Sequence, residues 1–248
     1  MSASHVVGID IGGTGIKGAP VDLEAGQLTQ ERTRLLTPSP ATPEAVAEVT
    51  AQVVDQLGVD GPVGLTIPAV VRDGVVETAS NIDQSWIGTD AGALFAEVLG
   101  RPVGVVNDAD AAGIAEMQFG AGRDSHGVVL LLTLGTGIGS ALFIDGTLVP
   151  NTELGHLQLH HHGVAEKYAS EIVRENEDLS WKHYAERLQT YFELVETLFR
   201  PTLMIIGGGI SKKADKNLPH IDIHTPIVTA ELKNGAGIVG AALFAPSA

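Results

Sequence analysis

The sequence predicts an α/β protein made of two related lobes around a central cleft. Three observations predict it. Aligned with itself at an offset of nearly half its length, the chain puts Gly13, Thr14, Gly15, Ile16 and Ala19 on Gly135, Thr136, Gly137, Ile138 and Ala141. Each copy follows an apolar strand, "HVVGID" or "GVVLLLTL", and precedes an alternating one. Elsewhere strand-like and helix-like stretches alternate, with no low-complexity linker between the halves.

The first element raises a choice. In "DIGGTGIKG", Gly13, Gly15 and Gly18 fit the G-x-G-x-x-G of a dinucleotide-binding turn, which requires a helix after the glycines. Pro20 stands where that helix interior would run, and Pro removes a donor and clashes with the preceding turn. The chain therefore turns back as a second strand, with a turn signal at Glu24-Ala25-Gly26; the second copy ends the same way at Asp145-Gly146. A helix over 43–57 follows, beginning at Pro43 and ending near Gly58, then a strand "VGLTIP", a helix near 89–99, a strand "VGVVN" closing on Asn107, and a helix near 109–118. In the second half, helices near 164–175 and 180–199 precede the strand "TLMIIGGG", and "GAGIVGAALFA" reads as a last helix. The expected lobes are residues 1–106, with helix 236–248 packing back on them, and residues 107–235.

Composition excludes several classes. With 44% hydrophobic and 18% charged residues the chain is globular, not disordered. A formal charge of −15 argues against nucleic acid and anionic membrane as partners, and requires any anionic substrate to meet a local positive site. Without cysteine there is neither a disulfide nor a thiolate metal site, so no zinc is expected. Asp10 interrupts the early apolar run, so no secretory leader is expected, and no apolar run reaches the ~20 residues of a membrane span. The expected location is the cytoplasm.

The chemistry-bearing residues cluster at strand ends. Backbone amides of Gly12, Gly13, Thr14 and Gly15, and of Gly135, Thr136 and Gly137, can converge on phosphate because no β-carbon blocks the approach. Thr14 and Thr136 add hydroxyls, Lys17 a cation, and Asp10 a carboxylate for Mg²⁺ through water. The plain alternative is a pair of tight hairpins without a ligand. "VVNDADAAG" places Asn107, Asp108 and Asp110 at the end of a buried strand, where a carboxylate can take a proton from an attacking hydroxyl; the plain alternative is that Asp108 caps the next helix. "TELGH" offers Glu153 and His156, and "SNIDQSW" offers Asn81. Lys212, Lys213 and Lys216 crowd in just after Gly207-Gly208-Gly209, a Gly-rich turn leading into a basic helix start that suits an anion. A charged run is otherwise a solvated face.

"DIGGTGIKG", "NDADAAG", "LGTGIG" and "ELGH", in this order and spacing, resemble the sugar kinases of the ROK family, over about residues 5–244. The resemblance implies the actin-like ATPase (ribonuclease H-like) fold. "PNTELGH" and "GGGISKKADK" further resemble the actinobacterial members that phosphorylate the 6-hydroxyl of glucose from inorganic polyphosphate. It implies Asp108 as the base, Asn81, Asn107, Glu153, His156 and Glu166 as the sugar clamp, and the two glycine turns, with Gly208, Lys212 and Lys213, as phosphate holders. It also implies Mg²⁺, a homodimer, and ATP as an alternative donor. Where many relatives carry a Cys-rich zinc site, this chain has "LQLHHHGVAEKYAS", whose His160, His161 and His162 cannot easily all face one ion. Asp110 replaces an asparagine common in relatives, as in the polyphosphate-using subgroup. An ATP-dependent glucokinase or mannokinase is the main alternative. A sugar-sensing repressor is a weaker one, because the phosphate hairpin begins almost at Met1 and leaves no room for a DNA-binding helix pair.

Overall fold

The structure, a computed structural model, describes residues 6–80 and 82–246. The chain divides into two compact units, Met1–Ala115 with Asn234–Ala248, and Glu116–Lys233.

In the first unit β1 (Val6–Gly12) and β2 (Gly15–Asp22) form an antiparallel hairpin, in register from Val6↔Val21 to Gly12↔Gly15. Pro20 lies inside β2, so the glycines open a strand and not a helix. The short strands β3 (Gln27–Leu28) and β4 (Thr33–Leu35) both pair with β2. Helix α1 (Pro43–Leu57) starts at Thr42, whose hydroxyl accepts from Ala45 N, and stops at Gly58, whose φ of 61° a β-carbon would oppose. Strand β5 (Val63–Ile67) runs parallel to β1, and β6 (Val71–Arg72) pairs with β7 (Val75–Val76). Helix α2 (Ala91–Leu99), capped by Asp90, leads to β8 (Val103–Asn107), parallel to β5, and then to α3 (Asp108–Phe119). The sheet order is β3-β2-β1-β5-β8.

Strand periodicity gives this sheet two different faces. One carries Val7, Ile9, Leu65 and Val105 into a core with Val53, Phe95 and Trp86. On the other, Gly8, Gly64 and Gly104 stand side by side across β1, β5 and β8. A β-carbon on any of them would collide with the backbone carbonyl of Ile238, Ala241 or Phe244. The C-terminal helix, Ala236–Leu243, thus lies with its backbone directly on a row of glycines. Its own Gly240 is equally close to the Ala111 carbonyl of α3.

The second unit repeats the pattern. Strands β9 (Val128–Leu134) and β10 (Ile138–Ile144) form an antiparallel hairpin. Asp145 and Gly146 both take positive φ and turn the chain into β11 (Thr147–Val149). A small ribbon, β12 (Gln158–Leu159) with β13 (Gly163–Val164), precedes α4 (Glu166–Ala169), α5 (Glu171–Asn176) and α6 (Trp181–Phe199). Strand β14 (Leu203–Gly208) runs parallel to β9, then come α7 (Ala214–Asn217) and β15 (Ile227–Thr229), parallel to β14. The order β11-β10-β9-β14-β15 has the same strand directions as β3-β2-β1-β5-β8, so the repeat read in the sequence is a repeat of topology. The single helix expected over 164–175 is two helices, because Ser170 has an extended ψ of 160°. The Ala169 carbonyl is taken by the Tyr184 hydroxyl at 3.0 Å instead of a helical amide.

Leu130, Leu132, Tyr184, Tyr191, Phe192, Met204 and Ile206 form this unit's core. Two buried carboxylates tie its loops. Glu116 accepts from the N–H groups of Ala121 (2.9 Å), Glu231 (3.1 Å) and Leu232 (2.8 Å). Glu196 accepts from the backbone and hydroxyl of Thr225. Among the described residues, no helix is long and apolar enough to cross a membrane.

Candidate active site

The expected site residues fall in both units, and each set is built by its own sheet. In the first unit Asp10 of β1 faces Lys17 of β2 across the ladder, with Lys17 Nζ 3.2 Å from Asp10 Oδ2. The hydroxyl of Thr66 on β5 donates to Asp10 Oδ1 at 3.3 Å and accepts from Ile11 N at 3.1 Å. These groups share the face covered by the C-terminal helix, and Gly237 in its first turn lies against the Asp10 carboxylate. A negative group is favoured at that end of a helix.

The turn joining β1 and β2 is pinned from outside. The Thr37 hydroxyl donates to the Gly12 carbonyl, and Arg34 Nη2 donates to the Thr14 carbonyl at 3.2 Å. Arg34 fills the place of a Gly15 β-carbon, which would lie 2.7 Å from its Nε. Lys17 is also the cross-strand partner of Arg34. Like charges directly opposite one another are destabilising, so Asp10, Lys17 and Arg34 together leave a net positive row suited to an anion. Sequence reading missed Arg34, one of two arginines in the short stretch "ERTRLL" after the hairpin.

At the end of β8 the buried Asn107 caps α3. Its Oδ1 accepts from Ala109 N (2.9 Å) and Asp110 N (3.1 Å), while Nδ2 donates to the Ala69 carbonyl at 3.0 Å. The helix begins at Asp108 itself, so the capping considered for Asp108 falls chiefly to Asn107. Asp108 is exposed, and its Oδ1 accepts from Ala109 N at 2.8 Å. Asp110 is buried. Asn81 lies outside the described residues.

In the second unit the turn Gly135-Thr136-Gly137 joins β9 to β10, with Gly135 N donating to the Gly137 carbonyl at 3.0 Å. Gly13 and Gly135, equivalent in the repeat, share a property. Neither has positive φ, and a β-carbon on either would meet nothing within 4 Å. No contact among the described residues calls for glycine there, whereas close approach of a ligand would. Gly208 differs, since its φ of 77° and the backbone of Leu134 against it already demand glycine.

The structure brings Glu153, His156 and Glu166 together. His156 Nδ1 lies 3.6 Å from Glu153 Oε2, and its Nε2 lies 3.7 Å from Glu166 Oε1. Burial raises the Glu153 carboxyl above the usual glutamate range; His156 pulls it down and Glu166 pushes it up. The loop that presents them hangs on Ser140 of β10. The Ser140 hydroxyl donates to the Thr152 carbonyl (2.7 Å) and accepts from Leu154 N (3.0 Å), and the Thr152 hydroxyl returns to the Ser140 carbonyl (3.1 Å). Gly155 lets the loop close onto the Ile138 carbonyl. Sequence reasoning missed Ser140, and no pattern marks it.

His160, His161 and His162 are exposed at the tip between β12 and β13, where His162 stacks on Tyr168 at 4.2 Å. Among the described residues no three His, Asp or Glu side chains gather as metal ligands would. The lysines after β14 do gather. Lys213 and Lys216 lie 5.6 and 5.7 Å from the ring centre of Trp181, and Arg174 lies 4.4 Å from it.

The family model for the ROK family matches residues 6–171. The chain is 52% identical to the polyphosphate glucokinase of Mycobacterium tuberculosis (strain ATCC 25618 / H37Rv), over 96% of this chain and 90% of that protein. Among solved structures it is similar to the inorganic polyphosphate/ATP-glucomannokinase of Arthrobacter sp. strain KM, with a TM-score of 0.93, 55% identity and 97% of each chain covered. It is also similar to the ROK family glucokinase of Streptomyces griseus in complex with glucose and AMPPNP, with a TM-score of 0.84 and 26% identity over 98% of this chain and 99% of that one.

Proposed function

The chain belongs to the ROK family, and on that premise we propose that it transfers a phosphoryl group from inorganic polyphosphate, or from ATP, to the 6-hydroxyl of glucose. One observation carries the reading: 52% identity to a polyphosphate glucokinase over nearly the whole of both chains. The two open glycine turns and the acidic–imidazole cluster support it chemically.

In this reading the Asp108 carboxylate takes the 6-hydroxyl proton as the oxygen attacks the terminal phosphorus. A C–O–P bond forms, the bond to the next phosphate breaks, and the shortened donor leaves with its electrons. Glu153 and Glu166 accept from sugar hydroxyls, His156 is oriented between them, and Asn107 retains one amide N–H beyond its capping bonds. Asn81 belongs to the same clamp. The turns at Gly12–Gly15 and Gly135–Gly137 hold donor phosphates, assisted by Lys17 and Arg34 in the first unit and by Gly208, Lys212 and Lys213 in the second.

A divalent ion suits this chemistry. The carboxylate of Asp10 is a hard oxygen ligand with a side chain 21% exposed, and Mg²⁺ typically binds through one or two carboxylates, substrate phosphates and water. When bound, Mg²⁺ offsets phosphate charge. We further read the enzyme as a cytoplasmic homodimer, on the family resemblance.

Initial rates of glucose 6-phosphate formation test the proposal, with polyphosphate, ATP or no donor, and with glucose or mannose as acceptor. Polyphosphate should support transfer, and a chelator should stop it. Transfer with ATP alone would leave an ATP-dependent hexokinase; no transfer with either donor would overturn the reading.

A further inference from the structure

Glu171 opens α5, a helix whose first turn reaches both glycine turns of the second unit. Beside it, Ile172 N donates to the Gly135 carbonyl at 3.1 Å, fastening α5 to the first turn. Its own Oε2 occupies the space that a β-carbon on Gly209 would need, so the carboxylate sits on the backbone of the second turn. A carboxylate is an odd residue to build where donor phosphate is to bind. Its surroundings explain it. Lys213, Arg174 and Lys212 act on it electrostatically, and Arg174 and Lys213 also flank Trp181 with Lys216. Left alone, four cations in so small a region would repel one another by an amount that grows as water is excluded.

We propose that Glu171 is a resident counter-ion of the donor site: it balances Lys212, Lys213 and Arg174 until donor phosphate takes its place, and so sets the affinity for the donor. This rests on the donor reading above. Donor binding must overcome the attraction between the cations and Glu171, and must tolerate a negative charge beside the incoming phosphate. Glu171 therefore weakens donor affinity while keeping the lysines ordered and the site from trapping its polyanion.

The charged and titratable groups facing Glu171 are Glu175 and Arg174 on its own helix, Lys212 and Lys213 after β14, and the Tyr184 hydroxyl on α6. Burial raises its carboxyl above the ordinary 4.5 and Glu175 adds to this, while Lys213, Arg174 and Lys212 oppose it. As pH falls toward that raised value the carboxyl takes a proton, and its opposition to the donor is lost.

The test compares the parent with Glu171→Gln and Glu171→Asp, by binding of inorganic tripolyphosphate in a calorimeter and by KM for polyphosphate and glucose. Glu171→Gln should bind tripolyphosphate about three- to tenfold more tightly, the scale of one screened charge removed. Its glucose KM should be unchanged, and its donor affinity should no longer rise toward acid pH. Glu171→Asp keeps the charge and should stay near the parent. Equal or weaker tripolyphosphate binding by Glu171→Gln, with glucose binding intact, would overturn the proposal. If the parent uses ATP but not polyphosphate, the donor reading fails separately, and the same comparison made with ATP decides the role of Glu171.

Discussion

His156 has a carboxylate on each side, and this governs what its loss would do. Removing the imidazole leaves Glu153 and Glu166 without the partner that stands between them, and burial already raises the Glu153 carboxyl above the usual glutamate range. His156→Ala should therefore raise the glucose KM more than the donor KM, because it removes one sugar contact and disturbs the acceptors beside it. A shift confined to the donor KM would move this cluster to the phosphate side. Asp108→Asn should behave differently, keeping most of the glucose affinity while turnover falls roughly 10²–10⁴-fold, the range of a general base. Retention of more than half the parent rate would remove Asp108 from that role. Glu153, His156 and Asp108 could be picked out because each lies in a short motif of unusual composition, whereas Glu166 came only from the family resemblance. Ser140 and Arg34 could not. Ser140 is one small polar residue on a buried strand, and Arg34 is one cation in a strand of three residues; their roles come from what the fold places opposite them.

At the scale of elements, the hairpins were readable because glycine, proline and alternation agree locally. The strands β3, β4, β6 and β7 were not, since two or three residues are too few to show a period. The glycine row was written in the sequence three times over, as "VVGID", "VGLTI" and "VGVVN". A glycine inside a strand marks a close backbone approach, but the partner that approaches lies far along the chain. Gly64→Ala should force the helix off the sheet where Ala241 rests. We expect a loss of about 1–3 kcal/mol, typical of overpacking, and a fall in Tm of roughly 2–4 °C for each kcal/mol in a protein of this size. Thermal unfolding followed by circular dichroism would measure it, and an unchanged Tm would mean that the helix is not held at backbone contact.

The whole molecule carries a formal charge of −15, and its proposed donor is a polyanion. Global repulsion acts over about 10 Å at 0.1 M salt, whereas the lysines near Trp181 act on contact. Added KCl should first raise kcat/KM for polyphosphate by screening the repulsion and then lower it by screening the lysines, while the glucose KM stays flat. A steady fall from the lowest salt upward would show that the basic cluster dominates at every range.

The glycine row also constrains the order in which the protein can be made. Strands β1, β5 and β8 leave the ribosome early, but the helix that lies on Gly8, Gly64 and Gly104 begins at Ala236. At the usual rates of synthesis, roughly 5–20 residues per second, their uncovered face waits on the order of ten seconds for its partner. The segment Glu116–Lys233 is complete before that helix exists. The half of the protein begun first is therefore finished last, and through that interval a sheet with one bare, side-chain-poor face has to be kept from pairing with the wrong chain.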